Sequence, residues 1–87
     1  MKLFGGNKYP DDQLANQATT AVTHDPLITD PGSVVVTSKH GVVTISGTVR
    51  QQQEKERIEG LVRSAITTMG LKHAQIVNDL RVPQTAG

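Results

Sequence analysis

No cysteine occurs among the 87 residues, which excludes a disulfide framework, a thiolate metal site and a cysteine nucleophile together. Tryptophan is absent as well, and the single phenylalanine and single tyrosine, Phe4 and Tyr9, both sit near the N-terminus. A sheet built from the rest of the chain has no aromatic platform on which to stack the bases of a single-stranded nucleic acid. Nor is there an excess of charge of one sign: nine Lys and Arg stand against eight Asp and Glu, a formal net charge of +1. Bulk electrostatics therefore gives no footprint for nucleic acid, and none is expected as a partner. Long hydrophobic runs are missing too. Nothing approaches the ~20 apolar residues that span a bilayer, and the first ten residues lack the apolar core of an export signal. The chain is expected to be soluble and, by the absence of a signal, cytoplasmic. A chain whose signal had been removed would read the same way and would belong in the periplasm.

What is present is a strong β pattern. Val34-Val-Val-Thr-Ser-Lys-His-Gly-Val-Val-Thr-Ile-Ser-Gly-Thr-Val49 reads as two alternating β-branched strands folded back at His40-Gly41. Glycine accepts positive φ freely and histidine tolerates it better than most residues, so this pair suits a two-residue turn. That turn sets the register: Val34 opposite Gly47, Val36 opposite Ile45, and Ser38 opposite Val43, all on one face. This is the apolar face, so it should meet helices. Gly41 and Gly47 are the glycines the fold should depend on. Gly47 is expected to leave room for a helix side chain or to mark a bulge.

Helical patterns flank the hairpin. Pro10-Asp11-Asp12 reads as a helix start, its carboxylates placed for capping and for the positive end of the helix dipole. Leu14, Ala18, Ala21 and Val22 then form one narrow apolar stripe. The helix should stop near Thr23 or His24, because the residue before Pro26 is pushed out of helical geometry. Leu27 and Ile28 are the expected apolar anchors of the loop that follows. From Gln51 to Met69, Ile58, Leu61, Val62, Ala65, Ile66 and Met69 repeat at helical spacing, Glu59 and Arg63 form an i, i+4 pair, and Gly70 is a natural stop. Gly60 lies opposite that stripe, where it is either neutral drift or a point of close approach. A third alternating strand runs from about Gln75 to Val82 and ends at Pro83. The expected fold is α+β: an αββαβ two-layer sandwich in which two helices cover one face of a three-stranded mixed sheet. The preferred strand order is 1-2-3, with an antiparallel 2-1-3 sheet as the alternative. Residues 1–10 read as a flexible lead, 11–82 as a single domain and 83–87 as a flexible tail.

Three segments together carry a family resemblance. Gly41-Val-Val-Thr-Ile-Ser-Gly-Thr-Val49, preceded by Val34 and Val36, resembles the G-x-V-x-L-x-G-x-V strand pair of the BON domain, the module named after bacterial osmotically induced and nodulation-associated proteins. Ile76-Val-Asn-Asp-Leu-Arg-Val82 resembles that family's V-x-N-x-L-x-V strand, and the leading helix with Asp12 near its start fits as well. The resemblance covers about Asp11 to Val82. One departure is the connection Lys72-His-Ala-Gln75 between Gly70-Leu71 and Ile76, slightly longer than the family's usual Gly-Val approach to the last strand. The resemblance implies a non-enzymatic module that binds phospholipid membranes or protein partners, often in the bacterial envelope or in osmotic-stress physiology. Some relatives are linked to potassium sensing beside a peptidoglycan-binding module.

Candidate sites follow from the residues themselves. The outer sheet face should carry Val35, Thr37, Lys39, Val42, Thr44, Val77 and Arg81, with Lys72 nearby. The bland reading is a solvated threonine-rich face; the functional one is a docking surface for a protein partner, a weakly associating second copy or anionic phospholipid. Three basic side chains supply only ~1 kcal/mol each near an anionic membrane. The alternative function is a small-ligand or cation sensor, for K⁺ or Ca²⁺, in which the 24–33 loop offers Asp25, Asp30, Thr29 and freed carbonyls to a hard ion. His24, His40 and His73 have no metal-ligand spacing, no serine has a base beside it, and Gly5-Gly6 is no phosphate loop. Neither a metal, a cofactor nor a catalytic role is expected.

Overall fold

The computed structural model describes residues 9–28 and 30–83. Most of the expected lead, the end of the expected tail (84–87) and Thr29 lie outside the described residues. The elements run in the order α1 (Asp11–Thr23), a 3₁₀ turn (Pro31–Ser33), β1 (Val34–Lys39), β2 (Val42–Thr48), α2 (Gln52–Thr68) and β3 (Gln75–Arg81). The sheet has order β1-β2-β3, antiparallel between β1 and β2 and parallel between β2 and β3. This is the mixed 1-2-3 sheet, and the antiparallel 2-1-3 alternative falls.

The hairpin register follows from its turn. His40 has φ 51° and Gly41 φ 81°, the two left-handed residues that a turn matched to strand twist requires. Val34 therefore faces Gly47, Val36 faces Ile45 and Ser38 faces Val43. Val34, Val36, Val43, Ile45 and Leu80 form one buried cluster with Leu14, Ala18 and Val22 of α1 and Ile58, Val62 and Ile66 of α2. Both helices thus lie on one face of the sheet. The long helix closes as its sequence requires: Gly70 takes φ 67°, its N–H donates to the Thr67 carbonyl at 3.0 Å, and Leu71 N–H donates to the Ile66 carbonyl at 3.0 Å. Leu71 then packs on the core, which completes the usual glycine stop.

Several local expectations are corrected. No side chain caps α1. The Asp11 carboxylate instead accepts from the hairpin, because the start of α1 lies beside the β1–β2 turn. Gly47 makes room for backbone and not for a helix side chain: its φ is +127°, and a Cβ there would lie 1.9 Å from the Ser33 carbonyl oxygen. Ile28 is buried, but Leu27 beside it is 65% exposed, and Met69, at the end of the α2 stripe, is 54% exposed. Leu27 lies in the loop between α1 and the 3₁₀ turn, and Met69 caps the C-terminal end of α2.

Candidate functional site

The two pairing registers arrange the uncovered face of the sheet in rows. Lys39, Val42 and Gln75 share one row; Thr37, Thr44 and Val77 the next; Val35, Ser46 and Asp79 the third; Thr48 and Arg81 the last. Val35, Thr37, Val42, Thr44 and Val77 are therefore brought together as one surface of β-branched side chains. Val35 is 53% exposed.

The basic residues are not brought together. Lys39 pairs with Val42 and Arg81 with Thr48, six positions along β2, which separates them by ~20 Å. Asp79 shares β3 with Arg81 on the same face. Lys72 lies off the face, at the hairpin end, with its Nζ 5.7 Å from the centroid of the Tyr9 ring, in reach of a cation–π contact. Tyr9 in turn packs against Gly41, where a Cβ would come within 2.5 Å of the ring.

Asp25 is part of the loop's own scaffold. Its Oδ1 accepts from Leu27 N–H at 2.8 Å, and Arg57 donates through Nε to Oδ2 at 3.1 Å and through Nη2 to Oδ1 at 3.3 Å. The Asp25 side chain is only 5% exposed while Arg57 is 43% exposed, so the guanidinium supplies the countercharge that a nearly buried carboxylate needs. Asp30 is exposed and borders a cleft of about 440 Å³ with Ser33, Thr48, Val49, Arg50, Glu54 and Pro83. Among the described residues no three His, Cys, Asp or Glu side chains converge as a metal site.

Two polar centres carry more of the architecture than their sequence positions suggest. One is Asp11, which holds the hairpin. The other is Asn78, half-buried on the helix-covered side of β3. Its Nδ2 donates to the Lys55 carbonyl and to Glu59 Oε1, both at 3.0 Å, and its Oδ1 accepts from Leu80 N–H at 3.2 Å. Glu59 also accepts from Arg63 at 3.0 Å. The Asn78 hydrogen bond, followed by that of Arg63, holds the Glu59 carboxyl below its ordinary range. The signal in the sequence was the alternation Ile76, Asn78, Leu80: an amide on an apolar face needs partners when buried.

The architecture is thus a two-layer α+β module with one helix-covered and one open sheet face. A family model described as the BON domain matches residues 10–84, and the chain belongs to that family. BON domains are generally non-catalytic binding modules. No curated protein matches the chain.

Proposed function

We propose that the chain is a non-enzymatic binding module that docks a protein partner through the open face of its sheet. The observation that carries this reading is the distribution of charge on that face. Val35, Thr37, Val42, Thr44 and Val77 are contiguous, while Lys39 and Arg81 stand at opposite ends and Asp79 offsets the second of them. A membrane-docking face gathers its cations, because each adds attraction only within about a Debye length of the anionic surface. A β-branched surface with isolated charges at its rim instead matches the anatomy of a protein interface, apolar at the centre and polar at its border. Family membership supports the binding class, and the face supports the choice of partner.

The test compares two ligands on one folded protein. The wild-type chain and the Thr44→Glu/Val77→Glu variant, matched by circular dichroism, are immobilised and exposed to native lysate and separately to phosphatidylglycerol vesicles. A protein retained by the wild type and lost by the variant supports the reading. Vesicle binding that the variant abolishes replaces it with a lipid-docking face, and capture of the same protein by both chains removes the face from the argument.

A further inference from the structure

The two edges of the sheet differ in a way the open face does not reveal. In a hairpin with a two-residue turn, the residues flanking the turn form a hydrogen-bonded pair and the pattern alternates from there. Lys39, Thr37 and Val35 therefore exchange hydrogen bonds with β2, while Val34, Val36 and Ser38 turn their backbone groups outward. Val34 N–H is taken by the Pro31 carbonyl. The Val34 carbonyl and both backbone groups of Val36 and of Ser38 have no partner among the described residues. On the opposite edge, β3 leaves as many outward groups open, Asn78 Oδ1 occupying only the Leu80 N–H, but Asp79 and Arg81 put charge of both signs along that strand. Strand edges are commonly blunted by such devices, and an edge without them is a template for pairing. On β1 the one charged residue is Lys39, at its end.

We infer that β1 pairs antiparallel with β1 of a second copy about a two-fold axis at Val36, joining two three-stranded sheets into one of six strands. The free backbone groups are centred on Val36, so the edge is complementary to itself. Val36 exchanges two N–H···O=C bonds with its equivalent, and each Ser38 N–H meets the Val34 carbonyl of the other copy. The occupied Val34 N–H marks where the ladder ends. On the open face Val35 lies beside Thr37 of the other copy, a β-branched cross-strand pair. Lys39 lies opposite Ser33, which keeps the two lysines ~20 Å apart, whereas a parallel pairing would set them side by side. Steric room is present as well. Gln17 and Ala21 of α1 turn toward α2, where they share a groove with Ala65 and Met69. At 100° per residue the opposite flank, over the β1 edge, carries Asp12 in the first turn and then Ala15 and Thr19, none of them long. This contact uses the edge and leaves the rows on β2 and β3 free for the partner proposed above.

The test is sedimentation equilibrium of the full chain from about 10 μM to about 1 mM, with amide hydrogen exchange at both ends of the range. The expected mass rises from 9.3 kDa toward twice that value, and the Val36 and Ser38 amides gain at least tenfold protection as it does. Val35→Lys/Thr37→Lys sets like charges across the two-fold axis and should stay monomeric throughout. Val35→Lys/Thr37→Glu sets opposite charges at the same places and should restore the dimer, which a merely misfolded variant would not do. A wild-type chain that remains monomeric at 1 mM overturns the inference. So does a dimer that both charge variants form equally, since that contact would lie elsewhere, or one in which the Val36 and Ser38 amides stay unprotected.

Discussion

The carboxylate of Asp11, in the first turn of α1, accepts the backbone N–H of Gly41 at 2.9 Å, some thirty residues further along the chain. The same carboxylate accepts from His40 N–H at 2.9 Å and from the Ser38 hydroxyl at 2.7 Å. The two amides at the tip of a left-handed turn cannot bond within the hairpin, and a charged acceptor is a strong substitute. Asp11→Ala should destabilise the fold by about 1–3 kcal/mol, read as a lower urea midpoint at unchanged slope. Faster amide exchange at His40 and Gly41 should accompany it. An unchanged midpoint would show that the turn holds without α1.

Gly47 and Gly60 should answer opposite ways to the same substitution. At Gly47 a Cβ meets the Ser33 carbonyl at 1.9 Å and the backbone φ is +127°, so Gly47→Ala must move the β1 entry or unfold the strand. A loss of at least ~2 kcal/mol is expected from strain and overpacking together. At Gly60 nothing lies within 4 Å of the added carbon, and the helix gains up to ~1 kcal/mol from Gly60→Ala. Thermal unfolding of the two variants beside the wild type checks both signs.

These two glycines also mark how far the sequence could be read. The hairpin register was legible because a two-residue turn leaves no freedom in which residue faces which. The open-face row Thr37, Thr44 and Val77 was legible as a set, because alternation assigns faces. The separation of Lys39 from Arg81 needed the parallel register of β2 on β3, which no local pattern encodes. The same holds for Asp11 on the hairpin, Arg57 on Asp25, and the Ser33 carbonyl against Gly47. Each is a contact between segments distant in sequence, whose meeting is decided by how the layers stack.

The Glu59–Asn78 contact should make stability depend on pH in the acid range. The folded-state pKa of Glu59 is lowered from its ordinary 4.5, first by the Asn78 hydrogen bond and then by Arg63. Between the lowered value and the ordinary one the unfolded chain binds more protons, so stability rises with pH there. The contribution is fully present above the ordinary value and disappears as pH falls through the lowered one. The pair is partly solvated, so the effect is small. Urea midpoints measured at pH 7, 5, 4 and 3 should fall more steeply for the wild type than for Glu59→Gln. Parallel curves would mean that Asn78 gains nothing from the charge.

The Asp25–Arg57 pair decides how the loop between α1 and β1 meets a cation. A hard ion at Asp25 must displace a guanidinium that reaches both carboxylate oxygens, at 3.1 and 3.3 Å. It must do so at a side chain that is only 5% exposed, where losing a paired charge is costly. Neither K⁺ nor Ca²⁺ at about 5 mM should therefore shift the amide of Leu27 or the Nε–H resonance of Arg57. Arg57→Gln should expose the difference: with the guanidinium gone, the carboxylate gains its countercharge from solution, and Ca²⁺ should raise the melting temperature of the variant more than that of the wild type. A Ca²⁺-dependent shift at Arg57 Nε in the wild type would show the ion winning the competition, and would restore the loop as a sensor.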